Sequence, residues 1–448
     1  MASINIPDGS KWYDLAPSIE DDGSEKGRLG KIALDKFTLQ VKSAFDADIV
    51  AYRKKRNINK NSDKKWIDDV VKKGTLSDKV AALTLQVQES PIHHLEELDL
   101  LIAMAVKQEQ RTSQLALEAL KDLLIHNLLP DRKLKLFMNR PLGHPKMNVQ
   151  YGIIYWFEDN LIRRIEKITF ALEEGLKSNL DYFKKFCMAI IADIVTHKPE
   201  QDGRLLTVLV NKLGDPKGPI YSKCVDLLLD IVSKQPKLKL RVVKEVLELM
   251  YRSSVTSRSS QNCVLFLSRL KLSKKTDSNT AEKLLEGYIV LFEKITASKE
   301  SKSKLLTSIF TGIATALKFV KDYHSIAKHM DTIFKIVHTS SFSTSIRALL
   351  LLSQILTLIK KNDFHMNPLL SSKSLNLKDY KKGDDKTSKV MAGGDDGLNG
   401  RSDSYVQDLT NRYYRAVYSK LLADEVCHVC RGMIRDLQPY MCTYLAIH

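Results

Sequence analysis

Glycine and proline are scarce in this chain, at 19 and 12 of 448 residues. Both punctuate turns, so their scarcity argues against a turn-rich sheet protein and for helices. Cysteine is sparse too: the six are spread as Cys187, Cys224, Cys263, Cys427, Cys430 and Cys442. That spread is no disulfide framework and points to a reducing compartment. The longest greasy run, residues 348–359, is interrupted by Ser353, Gln354 and Thr357 and is too short to span a bilayer. The opening MASINIPDGSKWYDL has no basic stretch followed by an apolar core, so no secretory signal is expected. The phosphate-loop pattern GxxxxGK[ST], HExxH and GxSxG are all missing. Gly393, Gly394, Gly397 and Gly400 sit in a polar stretch with no strand before it. No enzyme activity and no cofactor are expected. Cys427-x-x-Cys430, with Cys442 and His448, has the ingredients of a zinc site but lacks the second paired half-site. Adjacent His93 and His94 point to different helix faces, so no metal is expected there either.

Acidic charge is in deficit: 53 Asp and Glu against 70 Lys and Arg, a formal net charge of +17. The excess points to a polyanionic partner: nucleic acid, an anionic membrane surface or an acidic protein. The nucleic-acid-binding candidates are Arg53, Lys54, Lys55, Arg56, Lys64, Lys65, Lys72, Lys73, Arg132, Lys133 and Lys135. Further basic groups are Arg163-Arg164, Lys237-Lys239-Arg241 and Lys271-Lys274-Lys275. Several fall at predicted helix ends, which stacked repeats line up along one edge, and such an edge can track an RNA backbone without reading sequence. Arg53 to Arg56 also suits a nuclear import signal or a solvated helix end.

What is present in abundance is amphipathic helix. Residues 1–27 are polar and expected to be mobile, apart from Lys11-Trp12-Tyr13-Asp14-Leu15, which suits docking on the body. Residues 28–73 read as a basic amphipathic region with one stripe of Ile32, Leu34, Phe37, Val41, Phe45, Ile49 and Tyr52. Ser77 can cap the next helix, bearing Leu76, Val80, Leu83 and Val87. Pro91 breaks the chain before a helix with Leu95, Leu98, Ile102 and Ala105, and a third carries Leu117, Leu120, Leu123 and Leu124 up to Leu129-Pro130. Residues 140–158 read as irregular and aromatic. Second helices of successive pairs then start near Asn179, Pro216, Val255, Lys302 and Phe342, at roughly the 40-residue period of HEAT or armadillo units. The first three carry Cys187, Cys224 and Cys263 at equivalent places, as reduced core thiols. The expected fold is all-α: a HEAT/armadillo-like α-solenoid over residues 74–361, a flexible linker over 362–404 that is disordered near 369–404, and a further segment over 405–448.

Three blocks resemble one family. They are Lys11-Trp12-Tyr13-Asp14-Leu15; GTLSDKVAALTLQVQESPIHHLEELDLLIAMA with EALKDLLIHNLLPDRKL; and Asn411-Arg412-Tyr413-Tyr414-Arg415-Ala416-Val417-Tyr418-Ser419-Lys420-Leu421-Leu422. The family is that of CCAAT/enhancer-binding protein zeta, or nucleolar complex protein 1. The third block resembles the helix opening its CCAAT-binding-factor homology block, so 405–448 is expected to start that block. The resemblance implies an α-solenoid scaffold of the nucleus and nucleolus for large (60S) subunit assembly and pre-rRNA processing. Its implied partners are pre-ribosomal RNA, pre-60S particles and a nucleolar complex protein 2-like protein, with no membrane. Partner-binding candidates are Trp12, Tyr13, Tyr413, Tyr414 and Tyr418. A CCAAT-box transcription co-factor and a protein-only HEAT-type adaptor remain as alternatives. After Ala423 the sequence departs from the family into DEVCHVCRGMIRDLQ. A truncated isoform or a gene-model error is therefore expected, with the partner surface incomplete.

Overall fold

A computed structural model of the chain describes residues 11–15, 30–58, 62–107, 109–145, 147–252, 255–273, 276–297, 303–320, 330–339, 342–366 and 399–421. The expected mobile N-terminus (save 11–15), most of the linker, Lys274, Lys275 and the Cys427–His448 tail lie outside them. Among the described residues the regular secondary structure is helical, without a strand. The chain divides into two compact units, residues 1–238 and 239–448.

The first unit holds α1 (Lys31–Ile58), α2 (Ser62–Lys73), α3 (Leu76–Glu89), α4 (Leu95–Val106), α5 (Gln110–Leu123), α6 (Val149–Lys177), α7 (Asp181–His197), α8 (Asp202–Asn211) and α9 (Gly218–Lys234). From α2 to α5 and from α6 to α9 each helix packs on the next, α1 lies on α6, and alternate helices also stack in a row: α3 on α5, α5 on α7, α7 on α9. This two-way stacking is the α-solenoid pattern, in which no amphipathic helix buries its stripe alone. The stripe of α4 is fully used, with Leu95, Leu98, Ile102 and Ala105 all buried. So is that of α5 and the turn that follows it, through Leu117, Leu120, Leu123 and Leu124. Each such leucine contributes about 1.5–3 kcal/mol on leaving water.

Three local expectations are corrected. The cap of α3 is Thr75, not Ser77: Thr75 Oγ1 accepts from the Asp78 N–H at 3.4 Å, and Asp78 Oδ2 accepts from the Thr75 N–H at 3.2 Å. That reciprocal pair satisfies two otherwise orphaned donors, which a serine inside the first turn cannot do. Ile32 leaves the α1 stripe and is 76% exposed. It stands two residues, or about 200° of helix, from Leu34. Finally, the irregular segment ends at Asn148, and residues 149–158 are helical. Tyr155 is buried there in a cluster with Val41, Phe137 and Leu142, so the aromatic run is the packed face of α6. Gly152 permits the approach of α1: a Cβ there would lie 2.6 Å from Val41 Cγ2.

The second unit holds α10 (Lys239–Tyr251), α11 (Ser257–Arg269), α12 (Ser278–Ala297), α13 (Ser303–Leu317), α14 (Met330–Thr339), α15 (Phe342–Met366) and α16 (Asn399–Leu421). Here α11 packs on α13 and α13 on α15, while α10 packs on α12. The pair-second helices begin at Asp181, Gly218, Ser257, Ser303 and Phe342, close to the places read from the sequence. Cys187, Cys224 and Cys263 are buried thiols outside any disulfide, and each is the seventh residue of its helix. Burial pushes the Cys187 and Cys263 thiols up to about 12, which keeps them protonated and unreactive. In the second unit, a buried ion pair between Lys239 and Asp277 ties the start of α10 to the loop before α12. Helix α16 lies on α14 and α15 with Leu409, Tyr413, Ala416 and Val417 buried.

Candidate nucleic-acid interface

The basic candidates separate into those that the fold uses and those that it leaves to solvent. At the end of α1, Arg53 donates to Glu96 Oε2 at 2.8 Å, and that hydrogen bond holds its guanidinium above the usual range. Arg56 has only 10% of its side chain exposed and lies between Asp68 at 3.7 Å, Glu89 at 4.0 Å and His94 Nε2 at 3.4 Å. Lys54 and Lys55, between them, are exposed. A helix alternates its faces every two residues or so, and only the arginines fall on the side turned toward the body. Lys72 and Lys73 are exposed in the last turn of α2, and Lys64 and Lys65 belong to its first turn.

The group at Arg132–Lys135 is held differently. Residues 129–148 are an irregular connection gripped by carboxylates. Glu158, only 1% exposed, accepts from Arg132 NH1 at 2.7 Å and from the Lys135 N–H at 2.9 Å, and also pairs with Arg140. Asp159 accepts from the Phe137 N–H at 3.2 Å and Glu200 from the Leu134 N–H at 2.8 Å. Lys133 reaches Asp202 at 3.0 Å, and Lys198 reaches Asp131 at 2.8 Å. Gln201, in the left-handed region at φ 52°, stands between Glu200 and Asp202, the first residue of α8. Arg132 and Lys133 are thus ion-paired within the fold, while the Lys135 side chain stands exposed.

The N-terminal block docks beside this connection, on the residue that precedes it and on α6. Trp12 is 1% exposed, donates its indole N–H to the Leu128 carbonyl at 3.1 Å, and meets Phe157 edge-on at 5.0 Å. Named above as a partner-binding candidate, it is buried in the chain's own core, and Tyr13 is half-buried beside it. Tyr413 is likewise buried, whereas Tyr414 and Tyr418 are half-buried. Arg412 fastens that helix by pairing with Asp331 at 2.8 Å and lying over the Phe334 ring at 4.6 Å.

One polar constellation escaped the sequence reading. Ser90 Oγ lies 2.6 Å from His93 Nδ1, and His93 Nε2 lies 3.0 Å from Asp48 Oδ2. The three residue types invite comparison with a hydrolytic triad. All three are buried, and Tyr52 stacks on the imidazole at 4.0 Å with its ring parallel within 6°. Burial, and secondarily the Glu89 charge, pushes the Tyr52 phenol up to about 12. Sealed from solvent, the group joins α1 to the turn before α4 and offers a substrate no approach. Asp48, an acid on the apolar stripe of α1, was the signal for it. Glu158-Asp159, two acids inside an apolar run, signalled the clamp in the same way.

No protein-family model matches the chain. It is 31% identical to CCAAT/enhancer-binding protein zeta of Homo sapiens over 359 residues, covering 78% of this chain and 34% of that one. It is 30% identical to Ribosome biogenesis protein NOC1 of Chaetomium thermophilum, covering 66% of this chain and 34% of that one. Nucleolar complex protein 1 of Drosophila melanogaster is 27% identical, with 80% of this chain and 31% of that one covered. The chain spans about a third of the length of the curated relatives it matches.

Proposed function

Because the chain belongs to the family of CCAAT/enhancer-binding protein zeta and nucleolar complex protein 1, we propose that it is a non-catalytic scaffold of ribosome biogenesis. It works in the nucleolus, on large-subunit precursors, holding pre-ribosomal RNA and a nucleolar partner protein. The observation that carries this is the relative named as a ribosome biogenesis protein, aligned over 66% of this chain. The exposed lysines Lys54, Lys55, Lys72, Lys73 and Lys135 support the RNA contact, since cations left in solvent can release counterions from a phosphate backbone. Arg56 and Arg132 contribute through the fold that presents these lysines. The sealed Asp48–His93–Ser90 group and the protonated core thiols support a mechanical rather than a chemical role.

The test is co-sedimentation of the tagged 448-residue chain with ribosomal precursors, combined with RNA crosslinking. Crosslinks from large-subunit precursor RNA to peptides bearing the exposed lysines are expected. Absence of both sedimentation and crosslinks, with retention of a double-stranded CCAAT probe over a scrambled one at physiological salt, would overturn the scaffold reading in favour of a promoter role. Protein partners without any RNA crosslink would favour a protein-only adaptor.

A further inference from the structure

Residues 53–73 carry nine lysines and arginines against three aspartates, and one tryptophan, Trp66. Its side chain is 62% exposed. The other two tryptophans are packed: Trp12 is sealed in the core, and Trp156 stands edge-on to Phe137 at 5.5 Å. The orientation of α2 explains the difference. Asp68 faces inward, accepting from Gln86 Nε2 at 3.2 Å and pairing with Arg56 at 3.7 Å. Trp66 precedes it by two residues, about 200° around the helix, so it faces away from α1 and α3. Seven residues on, Lys73 returns to the Trp66 stripe, about 10 Å along the axis. Lys72 is exposed next to it, and Asp69 is the carboxylate on the same ridge.

An exposed indole among cations matches one kind of ligand well. Single-stranded nucleic acid offers π-faces for stacking at every base and phosphates between them. A protein partner would have to present a strongly acidic surface to the same segment. We propose that Trp66 is a base-stacking platform for single-stranded RNA, with Lys72 and Lys73 holding the adjoining phosphates. The proposal rests on the RNA reading above and names the contact through which it works.

The test uses the full chain and a labelled oligouridine of about 12 nucleotides, a length within the usual single-strand site sizes. Fluorescence polarisation is read at several salt concentrations. Trp66→Ala should weaken binding by about 5- to 150-fold, with the slope of log affinity against log salt unchanged, because stacking releases no counterions. Trp66→Phe should keep most of the affinity. The pair Lys72→Ala and Lys73→Ala should instead flatten the slope by about 1–2. If Trp66→Ala binds like the wild type while the lysine variant flattens the slope, stacking is overturned and the RNA reading stands. If the wild-type chain binds no RNA, the RNA reading fails and the proposal falls with it. A Trp66→Ala chain that melts well below the wild type, or that loses a purified protein partner while keeping RNA, would also overturn the assignment.

Discussion

Replacing Glu158 by glutamine should loosen the clamp on residues 129–148 without removing any volume. Glu158 is 1% exposed and meets two guanidinium groups and one backbone N–H. Glutamine keeps a carbonyl for the Lys135 N–H but leaves Arg140, only 10% exposed, facing an amide instead of a carboxylate. Stripping one partner from a buried ion pair costs roughly 3–5 kcal/mol. Arg132, 43% exposed, recovers water and adds little. The retained carbonyl offsets part of the loss, giving about 2–4 kcal/mol. For a unit of this size that is a fall in Tm of about 5–15 °C. All three tryptophans lie within residues 1–238, so their emission follows the melting of the first unit alone. Glu173→Gln is the control: its pair with Arg204 is half open to solvent and should count for less than about 1 kcal/mol. If Glu158→Gln melts within error of Glu173→Gln, the clamp does not hold the connection and the reasoning is wrong.

Trp12→Ala should remove about 3–5 kcal/mol of docking contacts, and the check is faster hydrogen exchange across residues 128–144 with far-UV helicity retained. Acid should weaken the second unit selectively. Burial pushes the Asp277 carboxyl up, but the hydrogen bonds from Lys239 and the Ser273 N–H outweigh it and hold it below its ordinary 3.8. A carboxylate lowered in the folded state stabilises above its unfolded pKa and loses that stability as pH falls through its folded value. Stability of α10 should therefore drop as pH falls below about 4, and Asp277→Asn should be less stable at neutral pH with a flatter acid limb. Hydrogen exchange of residues 239–251 measures both.

The repeat architecture was legible because helical periodicity is written densely in this chain. The starts of α7, α9, α11, α13 and α15 follow from where apolar spacing resumes after a break, and the three equivalent cysteines confirm the register. Boundaries set by single polar atoms were not legible. Choosing Thr75 over Ser77 depends on which hydroxyl faces the Asp78 N–H, and two candidates two residues apart look alike on paper. The basic clusters were legible as charge but not as availability. Arg56 and Lys54 read the same until their helix faces are fixed by partners 12 or more residues away, Asp68 and Glu89 for the one and solvent for the other. Trp66 was overlooked for a related reason: an aromatic between lysines carries no sign of whether it faces core or water.

The bond from Trp12 to Leu128 closes a loop of 116 residues in sequence separation, and this sets an order of events during synthesis. Trp12 leaves the ribosome well ahead of both its acceptor and the Phe157 ring. At roughly 5–20 residues per second, the indole waits about 6–23 s for its acceptor alone. Throughout that interval the nascent chain shows a bare aromatic hook to any chaperone nearby, and the first unit can latch shut only after α6 has emerged.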